Sequence, residues 1–184
     1  MGVSRGPIRE ALSQLEREGL VINRSNGRSY VARLSQEDLE EVYSLRRVFE
    51  RLAVEGVCRR ATAEDLDEMQ AVVEEMAPST GMGITAQDAA ELDMRFHDLL
   101  YRACGHQRLL NYWTTLRPQV HVFLLSRNVA SPDFREKAAQ GHQQILDAIR
   151  KRDVKLACAL IEGHLDFAYS RIVVTYAQDD GPAA

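Results

Sequence analysis

Hydrophobic residues recur every three or four positions along most of the chain. Beyond residue 34 this spacing predicts amphipathic helices, and one clear stripe runs through Leu92, Phe96, Leu99 and Leu100. Ser35, Thr62, Thr85 and Asp153 are plausible N-caps, and the first three have an acidic residue three positions later. We predict an antiparallel bundle of six helices with short connections, over residues 36–60, 63–77, 86–104, 107–129, 133–151 and 154–176.

The first 34 residues follow a different pattern. Ser4 to Gly19 predicts a helix with an N-cap and a glycine stop. Two short β-prone runs follow, and Asn26-Gly27 between them is a strong hairpin signal. A helix followed by a hairpin is the second half of a winged helix-turn-helix. The fold class is therefore mainly α, a partial winged helix over 1–34 (recognition helix plus β-hairpin wing), an all-helical antiparallel bundle over 35–178, and a flexible tail over 179–184.

Composition and charge narrow the class of protein. The chain is 45% hydrophobic and 27% charged, as in soluble globular proteins, and its apolar runs are far shorter than a membrane span. Three widely spaced cysteines predict buried, reduced thiols in a cytoplasmic protein: Cys58, Cys104 and Cys158. The formal net charge of −4 divides unevenly, because six arginines and three glutamates fall within residues 1–33. A basic head on an acidic body favours binding of a polyanion by the head.

Four residues of the helical region suggest a metal site. Asp93 and His97 are one helical turn apart, and His142 and His164 each fall on an apolar stripe of a separate helix. Read alone, the Asp93–His97 pair is more often an ordinary hydrogen bond, and a lone core histidine is usually a satisfied one. Four such groups in one bundle are costly to bury without a shared partner, which a divalent ion supplies. Three imidazoles and one carboxylate suit Zn²⁺, Ni²⁺, Mn²⁺ or Fe²⁺ better than Ca²⁺ or Mg²⁺, with zinc the first choice.

Several basic residues are candidates for binding a small carboxylate beside that metal. Arg46 lies on an inward stripe with no evident acidic neighbour, which suits a carboxylate ligand, although an internal salt bridge is the alternative. Arg117 and His121 are one turn apart and, like Arg127, can line the same cavity. The opposite face of the Arg46 helix is also apolar, and a dimer interface is one way to bury its residues Leu45, Val48 and Leu52.

The sequence resembles a known family in two regions. Val3-Ser-Arg-Gly-Pro-Ile-Arg-Glu-Ala-Leu12, continuing to Val21, resembles the recognition-helix signature of GntR-type bacterial transcription regulators. Asp93-x-x-x-His97, His142 and His164 resemble the metal-binding pattern of the FCD effector domain found in part of that family. The resemblance implies a ligand-responsive regulator, a metal beneath a pocket for small carboxylic acids, and a homodimer on operator DNA.

The resemblance also implies which residues contact DNA. From the recognition helix these are Ser4, Arg5, Gly6 and Arg9, and from the tip of the wing Asn26 and Gly27. Family members begin some tens of residues earlier, with two further helices, so we expect this chain to be truncated and its DNA binding to be weakened. Two alternatives remain: a metal-dependent enzyme, for which no convincing base accompanies the ligands, and a ligand-binding dimer that no longer binds DNA.

Overall fold

Seven helices and one two-stranded sheet make up the part of the chain that the structure describes. This computed structural model describes residues 4–24, 27–32, 34–77, 84–126 and 134–179. Its elements are α1 (Arg5–Arg17), β1 (Val21–Asn23), β2 (Ser29–Val31), α2 (Gln36–Arg60), α3 (Ala63–Met76), α4 (Ala86–Ala103), α5 (Gln107–Leu125), α6 (Phe134–Arg150) and α7 (Val154–Asp179). The predicted class, a helix and hairpin followed by six helices, is confirmed, and residues 180–184 of the predicted tail lie outside the described residues.

Side-chain caps explain where the helices of the bundle begin. Ser35 and Asp38 form a reciprocal capping box, in which the Ser35 hydroxyl accepts from the Asp38 backbone and the Asp38 carboxylate accepts from the Ser35 backbone. The same pairing starts α3 and α4, and Oδ1 of Asp153 accepts from the Leu156 backbone at 3.0 Å to start α7. All four predicted N-caps are therefore confirmed, each contributing about 1 kcal/mol.

The N-terminal elements form a small unit that is mostly exposed. β1 and β2 pair antiparallel, with Val21 opposite Val31 and Asn23 opposite Ser29. Gly27 in the turn has φ +77°, a left-handed conformation that glycine adopts without strain. None of the described α1 residues is buried, and Ile8 is 51% exposed. This unit therefore has little core of its own.

The six remaining helices enclose one hydrophobic core. Helix α2 packs against α4, α5, α6 and α7, while α3 packs against α4 and α6. Tyr101 of α4 stacks on Trp113 of α5 with ring centroids 4.4 Å apart, and both side chains are buried. The core therefore fixes α4, α6 and α7, the three helices that carry the predicted metal ligands, around α2.

A hydrogen bond joins the N-terminal unit to the bundle. The Gln119 side-chain amide on α5 donates to the backbone carbonyl of Glu18, the residue that ends α1, at 3.1 Å. The next residue, Gly19, has φ +72°, and a Cβ built there would lie 2.5 Å from Nε2 of Gln119. The Gln119 side chain thus packs against Gly19 between α1 and β1, where a Cβ would displace it.

Composition predicted reduced, buried cysteines and apolar runs too short to span a membrane. Cys58, Cys104 and Cys158 are buried and not disulfide-bonded, as predicted. Among the described residues no helix is both long enough and apolar enough to cross a membrane.

Candidate metal centre

Four buried side chains from three helices converge at one point of the bundle. Asp93 and His97 come from α4, His142 from α6 and His164 from α7. One candidate ligand atom from each lies within 4.8 Å of those from the other three. Their exposed fractions range from 0% for His97 to 11% for His164, so water does not compete freely for them. The predicted constellation is present as a geometric cluster.

The three imidazoles turn the same nitrogen towards Asp93. Nε2 of His97 lies 3.6 Å from a carboxylate oxygen of Asp93, Nε2 of His142 lies 3.8 Å away, and Nε2 of His164 lies 4.0 Å away. Nδ1 of His142 lies 2.8 Å from the Ala138 carbonyl, so this nitrogen carries the proton and donates it. Nε2 of His142 then presents a lone pair to the cluster.

His97 is held by a residue that the sequence analysis did not assign to the site. Its Nδ1 lies 2.8 Å from Oε2 of Glu50, a fully buried carboxylate on α2. A carboxylate at this position favours the tautomer with hydrogen on Nδ1, leaving Nε2 for a metal. Glu50 could have been noticed because it follows Arg46 by four residues, the spacing of a helical ion pair.

The donor atoms fit a divalent transition metal. Nε2 of His97 and Nε2 of His164 are buried with no hydrogen-bond partner among the described residues. Leaving such atoms unpaired costs free energy, which coordination would recover. Metal–ligand distances of about 2.0–2.2 Å put two donors on opposite sides of one ion about 4.4 Å apart, and neighbouring donors closer. Donor atoms that lie within 4.8 Å of one another would therefore have to move inwards to close on an ion.

Burial also sets the protonation of one ligand. Loss of water around His164, reinforced by the neighbouring His142, lowers the pKa of His164 well below its ordinary value. A neutral imidazole is the form that binds metal. The folded protein thus keeps His164 ready to bind at neutral pH.

Arg46 has an acidic partner, contrary to the expectation from sequence. Its Nε donates to Oε1 of Glu50 at 2.5 Å, and its Nη2 lies 3.8 Å from Asp93. Burial by itself raises the pKa of Glu50, but the charge of Arg46, together with the interactions that His97 and Arg46 make with this carboxylate, outweighs burial and lowers that pKa. The expectation of no acidic neighbour was wrong, because Glu50 lies one helical turn away on the same buried face. Arg46 and Glu50 form an internal ion pair below the cluster.

A cavity of about 320 Å³ opens on the other side of the cluster, between α6 and α7. Asp93 and His164 form part of its floor, together with the two glycines Gly141 and Gly163. This volume lies in the range of small-molecule sites, roughly 300–1,000 Å³. A small ligand in this cavity would contact the Asp93 and His164 side chains directly.

The predicted carboxylate-binding residues lie elsewhere. Neither Arg46, Arg117 nor His121 is among the described residues that line this cavity. The Arg117 guanidinium contacts Asp98 at 2.9 Å, so it is already paired with a carboxylate, and Nε2 of His121 is buried without a hydrogen bond in the described chain. Arg127 lies outside the described residues. The sequence pattern missed the cavity because the space depends on how α6 and α7 pack together, and helical periodicity does not show this.

The residues predicted to contact DNA are exposed at the N-terminal end of α1. Ser4, Arg5, Gly6 and Arg9 are exposed, and Arg5 and Arg9 also line a groove of about 290 Å³ between α1 and the hairpin. Arg24 and Gly27 line the same groove, and Asn26 lies outside the described residues. The structure thus brings the helix arginines and the wing to one face.

Comparison with known proteins agrees with both halves of the fold. Residues 41–167 match the family model of the FCD domain, and residues 1–31 match that of the bacterial regulatory proteins of the gntR family. The first match alone covers more than half of the chain. The motifs that suggested the resemblance lie within these two matches.

Similar proteins and solved structures are also transcriptional regulators. An uncharacterized HTH-type transcriptional regulator of Streptomyces ambofaciens is 34% identical over 182 residues, covering 94% of this chain and 71% of that protein. The gluconate operon transcriptional repressor of Bacillus licheniformis is 28% identical over 178 residues, covering 92% and 71%. A crystal structure described as a GntR transcriptional regulator from Rhodococcus sp. RHA1 is 25% identical, with a TM-score of 0.71, covering 95% of this chain and 82% of that one. These relatives are regulators and not enzymes, and the chain belongs to the GntR family of bacterial transcriptional regulators, in the group that carries an FCD domain.

Proposed function

We propose that this regulator senses a small carboxylate through a divalent metal held in its helical domain. The observation that carries the proposal is the convergence of Asp93, His97, His142 and His164 within 4.8 Å in a buried site. The donor set suits zinc first, with nickel, manganese or iron as alternatives. A bound ion of this kind supplies a positive charge and coordination positions for a ligand carboxylate.

The protein contributes the walls and the counter-charges of this site. Glu50 orients His97 and neutralises Arg46, while Asp93 supplies the one carboxylate of the donor set. The cavity between α6 and α7 reaches Asp93 and His164 from solvent. A carboxylate arriving through this cavity would meet the ion without displacing any helix.

Operator DNA is the proposed partner of the N-terminal unit. Arg5 and Arg9 lie exposed near the start of α1, and arginines there can reach phosphates and guanine edges in a major groove. Gly27 places the wing tip beside the same groove. The Gln119–Glu18 contact then offers a physical connection by which ligand binding in the bundle could change the setting of α1.

A homodimer is the proposed assembly. Leu45, Val48 and Leu52 form an apolar stripe on α2 whose members are 40–64% exposed. Tyr112, which stacks on Phe49 at 5.9 Å, extends this surface onto α5. We expect Val48→Glu to shift the protein from dimer to monomer in sedimentation velocity, while the exposed change Asp67→Lys on α3 leaves it dimeric. A wild-type monomer would contradict this assembly.

One observation favours a second candidate, a metal- and ligand-binding dimer that does not bind DNA. Ile8 on α1 is half exposed, and no α1 side chain described in the structure is buried, so the N-terminal unit has little packing to hold it. The two candidates differ in their response to DNA alone. A DNA-binding measurement therefore separates them.

The experiment uses the zinc-loaded chain and labelled DNA from its upstream promoter. Fluorescence anisotropy should show binding that weakens steeply as salt rises, because arginine–phosphate contacts release counterions. We expect Arg9→Ala to reduce affinity and Arg108→Ala, on α5, to leave it unchanged. Absence of binding at low salt would leave the second candidate. Zinc content of the same samples tests the metal site separately, since His142→Ala should lose the ion.

A further inference from the structure

The geometry points to a specific class of effector, a monocarboxylate with an apolar body rather than a dicarboxylate or a polyhydroxylated acid. This inference rests on the proposed function, because it takes the carboxylate-sensing metal site as given. It follows from the charge beneath the cluster and from the walls of the cavity above it.

The buried charges allow for one ligand carboxylate. Arg46 and Glu50 are both 0% exposed and pair at 2.5 Å, so their charges cancel. Asp93 then offsets half of the charge of a divalent ion, and the histidines bind as neutral ligands. With such an ion the site would carry a single net positive charge, which one carboxylate would neutralise. Among the described residues that line the cavity, Lys137 is the one side-chain cation, and it is exposed, so a second carboxylate would meet no buried cation among them.

The guanidinium of Arg46 is also poorly placed to bind a second ligand carboxylate. Its Nε is taken by Glu50, and its Nη1 faces the Tyr43 hydroxyl at 3.5 Å. Only Nη2, which points towards Asp93, makes no hydrogen bond with the described residues. Arg46 is also fully buried and is not among the described residues that line the cavity, so a second carboxylate there would not reach its guanidinium.

The walls of the cavity are apolar. Phe134, Leu160, Phe167 and Ala168 surround the space above His164. These side chains offer no partner for ligand hydroxyl groups, and burying an unpaired hydroxyl is unfavourable. They favour a hydrocarbon body, whose burial releases water from apolar surface.

Apart from Asp93 and His164, the polar residues that line the cavity are exposed at its rim. Lys137, Gln140 and Gln144 line it and are exposed. A lysine in water attracts a carboxylate weakly, since solvent screens the interaction. The rim therefore does not offset the lack of a cation inside, and it leaves the preference for a single charge in place.

Three six-carbon acids test the inference on the zinc-loaded full chain. Hexanoate carries one carboxylate on an apolar body, adipate adds a second carboxylate, and gluconate replaces the hydrocarbon with hydroxyl groups. Isothermal titration calorimetry should show hexanoate binding roughly tenfold or more tighter than either of the others. Zinc-stripped protein should bind none of them.

A cavity-filling pair of variants locates the site. A Cβ at Gly163 would meet nothing within 4 Å, and this residue lines the cavity. Gly163→Leu should keep its zinc but bind hexanoate roughly tenfold or more weakly, because the new side chain occupies the ligand space. Gly163→Ala, which adds one methyl group at the same position, should keep both zinc and hexanoate.

The outcomes separate this inference from the function on which it rests. Adipate or gluconate binding as tightly as hexanoate would overturn the inference while leaving a carboxylate sensor in place. Unchanged hexanoate binding by Gly163→Leu would overturn the assignment of the cavity. No binding of any of the three acids to the zinc-loaded protein would overturn the inference, and absence of zinc binding would remove the proposed function as well.

Discussion

Oε2 of Glu50 lies 2.8 Å from Nδ1 of His97, while Oε1 of the same carboxylate accepts a hydrogen bond from Arg46 at 2.5 Å. All three side chains are fully buried. Glu50 therefore has two roles at once: it orients the imidazole of a candidate metal ligand, and it offsets the charge of Arg46. Glu50 itself is not among the four candidate donors.

Replacing this carboxylate should weaken metal binding. We expect Glu50→Gln to reduce zinc affinity about 10- to 100-fold, because such outer carboxylates hold the ligand tautomer and its orientation. Competition with a chromophoric chelator measures the change. Glu55→Gln is the matched control, since Glu55 lies on the same helix but forms only surface ion pairs with Arg51 and Arg59. Equal zinc affinity for Glu50→Gln and wild type would contradict the role of Glu50.

Helix positions and metal donors were predictable from local pattern, whereas the residues around them were not. Four consecutive residues, from Ser35 to Asp38, are enough to predict a helix start. Helical spacing alone predicts that Asp93 and His97 share a face. The pairing of Glu50 with His97 instead depends on how α2 meets α4. Such contacts between distant segments leave no periodic trace in one sequence.

The contact between α4 and α5 should be measurable as stability. Oδ1 of Asp98 accepts from the Trp113 indole at 2.7 Å and from Nε of Arg117 at 2.9 Å. Asp98→Ala removes both hydrogen bonds, and we expect a loss of about 1–3 kcal/mol in the free energy of unfolding. Urea unfolding followed by the fluorescence of Trp113, the single tryptophan of the chain, gives this value.

An exposed aspartate provides the comparison for this experiment. Asp166 pairs with Arg47 at 2.5 Å, but both side chains are about half exposed. We expect Asp166→Ala to change the free energy of unfolding by less than about 0.5 kcal/mol. If Asp98→Ala proved as mild as Asp166→Ala, the contact between α4 and α5 would not be stabilising.

A side chain at residue 19 should destabilise the junction between α1 and β1. Gly19→Ala combines a left-handed backbone with a close approach to Gln119, so we expect a local cost of about 1–2 kcal/mol. Hydrogen exchange of the Leu20 and Ala32 amides, which bond to backbone carbonyls in this unit, should become about 5- to 30-fold faster. Gly6→Ala, where a Cβ would meet nothing within 4 Å, should leave their exchange unchanged. Equal exchange rates in the two variants would show that Gln119 does not constrain this junction.

The zinc-free protein should lose stability as the solution becomes acidic. Burial lowers the pKa of His164 in the folded state, whereas the unfolded chain takes up this proton near the ordinary value of about 6.5. The unfolded state therefore binds more protons below that pH, and the stability present above it is lost progressively as pH falls towards the lowered pKa. Thermal midpoints measured with chelator between about pH 7.5 and 5.5 should decrease.

A variant assigns this pH dependence to its residue. His164→Asn removes the group that titrates, so its thermal midpoint should fall less steeply over the same pH range. Identical slopes for His164→Asn and wild type would assign the effect to other groups.

The central claim is that Asp93 and three histidines hold one metal ion. Zinc K-edge X-ray absorption of the zinc-loaded chain tests it most directly, because the fine structure distinguishes light donors from sulfur at about 2.0–2.1 and 2.3 Å respectively. We predict one zinc per chain, imidazole and oxygen ligands, and no sulfur; loss of this spectrum in His142→Ala would confirm the site. A spectrum with sulfur neighbours from Cys58, Cys104 or Cys158, or with oxygen neighbours alone, would contradict it.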